Sequence, residues 1–246
     1  MDVVEAGAFR LAGEWANPAP VDRRSARHPR PSPRVMELRT SRLLLRPWRD
    51  ADLPAYAALN ADKQVRRWFP GALTRARSDD EAARLQRHIE AHGFGFWAVE
   101  VPGVAPFIGF VGLKWVSFAA PFAPAVEAGW RLAREHWGKG YAAEAAEAAL
   151  AHGFGPLGLT EIVAFAVPGN LASRRVMERV GMRHDPAGDF DHPAVPEGHP
   201  FRRHVLYRAE REHVRAHPGG GRPARSPAPT PPGAGEGHGP ASGRGQ

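Results

Sequence analysis

The chain has 246 residues, with 33 Lys and Arg against 26 Asp and Glu and no cysteine. Without cysteine there is no disulfide framework, no thiolate nucleophile and no Cys-ligated zinc or iron–sulfur site, which fits a reducing, cytoplasmic setting. Of the net charge of +7, residues 36–217 carry only +3, since the head (1–35) and the tail (218–246) carry +2 each; the basic balance therefore bears on solubility and steering before nucleic acid.

Residues 1–35 hold five prolines and six arginines and no sustained apolar period. They read as a disordered head upstream of a true start at Met36, so a chain beginning there is expected to fold. Arg23-Arg24 is not followed by an apolar core, so no secretory signal is read. The tail holds nine glycines and seven prolines and no Val, Ile, Leu, Met or aromatic residue. It buries too little apolar surface to offset its ordering entropy and reads as disordered. One domain is expected over 36–217. Residues 101–126 carry a single charge, Lys114, but Pro102, Pro106, Pro121 and Pro124 break any spanning helix, so no membrane partner is expected.

Within that domain, Met36 to Trp48 reads as a strand ended at Pro47. A helix follows from about Asp50, with Leu53, Tyr56, Ala57 and Asn60 on one stripe. Ser78 and Glu81 have capping-box spacing ahead of Ala82, Leu85, His88 and Ile89, and that helix should stop at Gly93. Three strands are expected over 94–101, 107–115 and 125–132. The Ala/Glu-rich stretch 141–152 predicts a helix, with Glu144 and Glu147 on a solvated face. Thr160 to Val167 is apolar on both faces, as in a central strand covered on both sides. A short helix is expected over 171–180 with Gly181 as its C′ residue, then weaker strands near Met182 and over 204–207. The pattern is an α/β domain around a mixed sheet.

The segment Trp137-Gly138-Lys139-Gly140-Tyr141-Ala142-Ala143-Glu144-Ala145 lies between a strand and a helix. Two glycines one residue apart let the backbone turn tightly and bring its N–H groups to a ligand, and the helix start adds its positive dipole end. Lys139 adds a charge at the lip. A plain turn gives the same G-x-G, so alone the signal is weak. A Walker A loop is excluded, because Lys139 is followed by Gly140. A dinucleotide fingerprint would accept Ala143, but the acidic residue it needs at the end of a second strand is missing; Glu161 opens a strand instead.

Taken together these residues resemble a family. W-G-K-G-Y-A-A-E-A is similar to the acyl-CoA pyrophosphate loop of the GNAT superfamily of N-acetyltransferases. The branch it most resembles includes the ribosomal-protein amino-terminal (Rim-type) enzymes. A second block, Asn170-x-x-Ser173-x-x-Val176-Met177-Glu178-Arg179-Val180-Gly181-Met182, and the opening T-S-R-L-L-L-R-P-W also look like this branch. The resemblance covers about residues 37–208.

The resemblance implies a mixed, mostly antiparallel sheet flanked by helices. Two central strands, here 125–132 and 160–167, splay apart to admit the pantetheine arm of acetyl-CoA. It implies pantetheine contacts from backbone around Leu132, pyrophosphate contacts at Trp137, Gly138, Lys139, Gly140, Tyr141 and Ala142, and Asn170 beside the cofactor arm. Gly129 marks a possible bulge in the first splayed strand. The reaction is direct attack of a primary amine on the thioester. It needs a proton acceptor for the amine, donors for the oxyanion and a proton for the thiolate. Glu127, a carboxylate in an apolar run, is the candidate base or water-ordering group. Ser173 is the candidate partner of the thiolate.

Two positions depart from the family pattern: Met177 stands where many members have a tyrosine acid, and Glu135 where Gln or Arg is common. No metal is expected, because the twelve histidines form no ligand motif. The acceptor is expected to be a protein N-terminus or a small amine, with the protein a monomer or homodimer. The rival readings are a non-catalytic acyl-CoA sensor or scaffold, and nucleic-acid binding through the arginine-bearing ends. Trp97 and Trp115 read as core, whereas Trp68 reads equally as core or as part of an acceptor loop.

Overall fold

The computed structural model describes residues 36–211. The expected disordered head and tail, and residues 212–217 of the expected domain, lie outside the described residues. Helices α1 (Leu53–Ala61), α2 (Arg75–His92), α3 (Tyr141–Phe154) and α4 (Leu171–Arg179) flank one sheet. Its strands are β1 (Leu38–Arg39), β2 (Leu44–Arg46), β3 (Phe96–Val101), β4 (Ala105–Trp115), β5 (Val126–Leu132), β6 (Glu161–Ala166), β7 (Arg183–His184), β8 (Phe190–Asp191) and β9 (Arg203–Glu210). The order is β1-β2-β3-β4-β5-β6-β9-β7, with β8 on β9. Every pairing is antiparallel except β5 with β6.

The first strand expected from sequence is a hairpin. Thr40 closes the turn: its N–H donates to the Leu43 carbonyl at 3.0 Å and its Oγ1 accepts from the Leu43 N–H at 2.9 Å. Leu38 then faces Leu45 across two short strands. Pro47 does follow the end of β2, because a proline cannot donate to the ladder. Buried Arg46 anchors the hairpin, with Asp52 at 2.8 and 2.9 Å and Glu100 at 2.8 Å.

Strand alternation divides the sheet residues between two layers. Trp97, Val111, Leu113, Ile162 and Ala164 are buried in the layer of α3. A Cβ on Gly153 of α3 would lie 2.5 Å from Ile162 Cδ1 and 2.9 Å from Leu113 Cδ1, so only glycine permits that approach. Phe96, Phe110, Lys114, Glu127, Arg131, Val163 and Phe165 occupy the opposite face. Helices α1 and α2 cover its β2–β5 half, where Tyr56 packs edge-on to Phe110 at 6.1 Å. Helix α2 stops at Gly93 with φ of 77°, as the sequence predicts. No helix among the described residues is long and apolar enough to cross a membrane.

Candidate active site

The site begins where two strands stop pairing. Strands β5 and β6 share one register pair, Glu127 with Val163, although both run on beyond it. Past that pair they diverge as an open V. The backbone groups lining it follow from alternation. The Ala125 carbonyl accepts from Val116 and the Ala133 N–H donates to Ile108, both across the β4 side. Odd-numbered residues of β5 therefore bond to β4, and the amides of Ala128, Trp130 and Leu132 turn toward the V. There the Leu132 carbonyl accepts Trp137 Nε1 at 2.8 Å. This ties the indole, expected at the cofactor, to the strand edge.

At the open end lies the start of α3. Gly138 and Gly140 have φ of 73° and 80°, in the left-handed region that favours glycine. Gly140 is the N-cap and supplies no side-chain cap. The first-turn N–H groups of α3 have no intrahelical acceptor, so an anionic group fits there by charge and by hydrogen bonding. A Cβ on Gly138 would meet nothing within 4 Å, so the loop stands open on that side. Lys139 is exposed.

The β1–β2 turn supports this loop in a way the sequence reading missed. Glu144 does not lie on a solvated face: it accepts from Thr40 Oγ1 at 2.6 Å, Ser41 Oγ at 3.1 Å, the Arg42 N–H at 3.0 Å and Arg42 Nε at 2.6 Å. Partial burial alone would raise the Glu144 pKa, but these hydrogen bonds outweigh it and hold it below its ordinary value. Arg42 also donates to the Lys139 carbonyl at 3.0 Å and lies over the Tyr141 ring at 4.8 Å. A guanidinium thus stands beside the glycine loop.

At the closed end of the V, Glu127 is 7% exposed and forms an ion pair with Lys114, its register partner on β4. Lys114 also lies 5.6 Å from the Phe96 ring centre. Burial pushes His88 down to about 3, helped by His92 and Lys114. Burial likewise pushes His192 down to about 4, helped by His204 and Lys114. At neutral pH these imidazoles are uncharged, and they surround the Lys114–Glu127 pair.

The expected bulge at Gly129 is not there. The β4–β5 register runs unbroken from Gly109 opposite Leu132 to Trp115 opposite Val126. Gly129 serves a close approach instead: its Cβ would lie 2.7 Å from Phe96 Cζ. The expected capping box is also displaced. Thr74 is the N-cap of α2, accepting from the Arg77 N–H. Ser78 and Glu81 lie inside the helix and belong to a buried network. Asn60 Nδ2 donates to Ser78 Oγ at 2.9 Å, and Tyr56 Oη donates to Glu81 at 2.6 Å. Arg131 Nη1 donates to Asn60 Oδ1 at 2.7 Å and to Glu81 at 3.0 Å. Burial would raise the Glu81 pKa, but Arg131 and the Tyr56 hydrogen bond carry it below its ordinary value. This network fixes α1 and α2 on β5 beside the V.

Asn170 caps α4, its Oδ1 accepting from the Ser173 N–H at 3.2 Å. Ser173 is thereby set in the first turn, half-buried. Met177 is buried. Trp68, on the α1–α2 connection, packs edge-on to Phe201 at 6.1 Å, and a Cβ on Gly169 would lie 2.9 Å from its ring. The α1–α2 connection and the loop holding Phe201 therefore meet near the segment that follows β6. Trp97 is core, fully buried, and Trp115 packs against it half-buried.

The Acetyltransferase (GNAT) domain family matches residues 42–183. The chain belongs to the GNAT acetyltransferase family. A relative from Bacillus subtilis, the uncharacterized protein YkkB, is 32% identical over 149 residues, which is 60% of this chain and 86% of that protein. The FsC-acetyl coenzyme A-N(2)-transacetylase of Aspergillus fumigatus is 29% identical over 160 residues, 60% of this chain and 65% of that one. A GNAT-family acetyltransferase from Bacillus anthracis superposes with a TM-score of 0.60 at 27% identity, covering 72% of this chain and 99% of that chain. RimL in complex with coenzyme A shares the fold at 14% identity and a TM-score of 0.57, covering 71% of this chain and 98% of that chain. The open V and the uncapped glycine loop are thus features of a GNAT acyltransferase. No group of three or more metal-ligating side chains is present among the described residues.

Proposed function

We propose that this GNAT chain moves an acetyl group from acetyl-CoA to a primary amine, on a protein N-terminus or a small molecule. The observation that carries the reading is the single β5–β6 pair that opens directly toward an uncapped helix start. In this reading the N–H groups from Gly138 to Ala142 hold the pyrophosphate, with Lys139 and Arg42 at its edge. The backbone of Ala128, Trp130 and Leu132 holds the pantetheine amides. Acetyl-CoA supplies an acyl group activated as a thioester.

An N–C bond forms as the C–S bond breaks. The amine must lose a proton, which Glu127 accepts directly or through one water. Its pairing with Lys114 offsets the burial of the carboxylate. The thiolate takes a proton from the Ser173 hydroxyl or from water, since Met177 has none to give. Asn170 contributes by fixing the turn that presents Ser173.

Thermal-shift titration with acetyl-CoA, CoA and ATP tests the donor site, and thiol release with amines tests the chemistry. Stabilisation by acetyl-CoA and CoA but not ATP is expected, with Glu127→Gln abolishing thiol release while keeping the thermal shift. Full activity in Glu127→Gln would remove Glu127 from the mechanism. An unmoved melting temperature with acetyl-CoA would refute the donor site. Binding without turnover on any amine would favour the sensor reading.

A further inference from the structure

A wall of aromatic rings stands next to Glu127. Phe165 lies two residues beyond Val163, the register partner of Glu127, and so shares its face of the sheet. Around Phe165 stand Phe118 at 5.7 Å, Phe122 at 6.1 Å, Phe190 at 5.4 Å, His192 at 6.2 Å and His204 at 5.9 Å. Phe190 is buried, whereas the other five rings are half-buried and present a surface. Helices α1 and α2 cover the β2–β5 half of this face, and the wall covers the β6–β9 half, on the other side of Glu127.

The carboxylates on this face are already paired. Glu127 is paired with Lys114, and Glu81 with Arg131. Burial keeps both wall histidines below their ordinary pKa values, so the wall is uncharged at neutral pH. Cation–π attraction draws an ammonium toward such rings, which makes a polyamine the rival occupant. Arg66 shares Glu81 with Arg131, so one cation on this side is in excess and opposes it. Where the α1–α2 connection meets the loop holding Phe201, Trp68 Nε1 is buried and bonds to no protein acceptor. A buried donor of this kind needs a partner, and a hydroxyl or carbonyl on an acceptor molecule can supply one.

We propose that the acceptor is a monoamine carried on an aromatic or large apolar group, which lies along the Phe165 wall while its nitrogen reaches Glu127. The proposal rests on the acetyl-transfer reading above and names the substrate class of that site. Apolar contact provides the affinity, and the excess cation of Arg66 and Arg131 disfavours a second ammonium.

The test measures kcat/KM by thiol release for 2-phenylethylamine, ethylamine and spermidine, using the full chain. The ring-bearing amine should exceed both others by at least about tenfold, the range an apolar pocket commonly gives. Phe165→Ala should reduce that advantage mainly by raising KM for 2-phenylethylamine. Phe118→Leu, on a loop and close to volume-conserving, should act in the same direction and keeps the test open if Phe165→Ala fails to fold. Equal or better use of spermidine or ethylamine overturns the proposal, as does an advantage that survives both substitutions. If acetyl-CoA stabilises the protein but none of the three amines releases CoA, the acceptor class is overturned and the donor site stands. If acetyl-CoA produces no stabilisation, the donor reading itself fails and the proposal falls with it.

Discussion

Lys114→Met tests whether the pair at the closed end of the V serves catalysis. The side chains of Lys114 and Glu127 are 15% and 9% exposed. Removing one partner of a fully buried pair costs roughly 3–5 kcal/mol, because the other charge is left uncompensated. Some solvent reaches this pair, so the low end, about 3 kcal/mol, applies. The unpaired carboxylate escapes that cost by taking up a proton more readily. The acid limb of the pH profile of kcat/KM should therefore move upward, so that activity lost on the acid side returns at higher pH.

The assay is thiol release against pH for the wild type, Lys114→Met and Lys114→Arg, with melting temperatures recorded alongside. Lys114→Arg should retain the wild-type limb. A merely structural cross-strand pair would lower the melting temperature and leave the limb in place. That result would refute the argument that Lys114 governs the charge of the proton acceptor. In a Glu127→Gln background Lys114→Met should cost less stability, since no carboxylate is then stranded.

Three further outcomes follow from the packing and the charges. Gly129→Ala places a Cβ against Phe96, which is stacked on Phe110 at 5.1 Å and has little room to yield; overpacking of about 1–3 kcal/mol is expected by denaturant unfolding, relieved in Phe96→Leu. Glu144→Ala removes four hydrogen bonds under the glycine loop, so it should weaken acetyl-CoA binding by calorimetry and lower stability by roughly 1–3 kcal/mol at pH 7. The Glu144 pKa is lowered on folding, so its contribution is fully present above the unfolded carboxyl pKa and is lost as pH falls through the folded one, and the gap between wild type and variant should narrow steadily below the ordinary carboxylate range. His88 and His192 have folded pKa values of about 3 and about 4, below the unfolded value. The unfolded chain thus binds more protons between about pH 4 and 6.5, stability falls as pH drops through that window, and His88→Leu with His192→Leu should flatten the slope.

Which parts of the site could be read from sequence depended on the range of the interactions that build it. The glycine loop was legible because its conformation is local: two left-handed residues and a helix start lie within five positions. Gly93 and Gly181 ended their helices where expected for the same reason. The spacing of Ser78 and Glu81 misled, because i to i+3 describes both a capping box and one face of a helix. Only the tertiary partners decide between these, and Asn60 and Arg131 lie 18 and 50 residues away. Glu144 was misjudged likewise: its partners in the β1–β2 turn are more than 100 residues distant. At Gly129 the expected bulge is absent, because the glycine serves the Phe96 ring above it, a contact from another strand.

The same difference in range separates the two halves of the reaction. In the proposed reading the donor is held by backbone N–H groups, which a short contiguous segment positions and a short motif therefore encodes. The proposed acceptor space is assembled from side chains on α1, α2, the β4–β5 loop, β6 and the segment around β8. No single stretch carries enough of it to form a motif. A substitution at Phe118 or Phe165 alters one wall of that space and leaves Gly138 to Ala142 untouched. On this architecture the preferred amine can change by single side-chain replacements while the donor loop stays constant. In this reading the donor chemistry of such a chain is written in its glycines, and its selectivity in residues whose meaning appears only after folding.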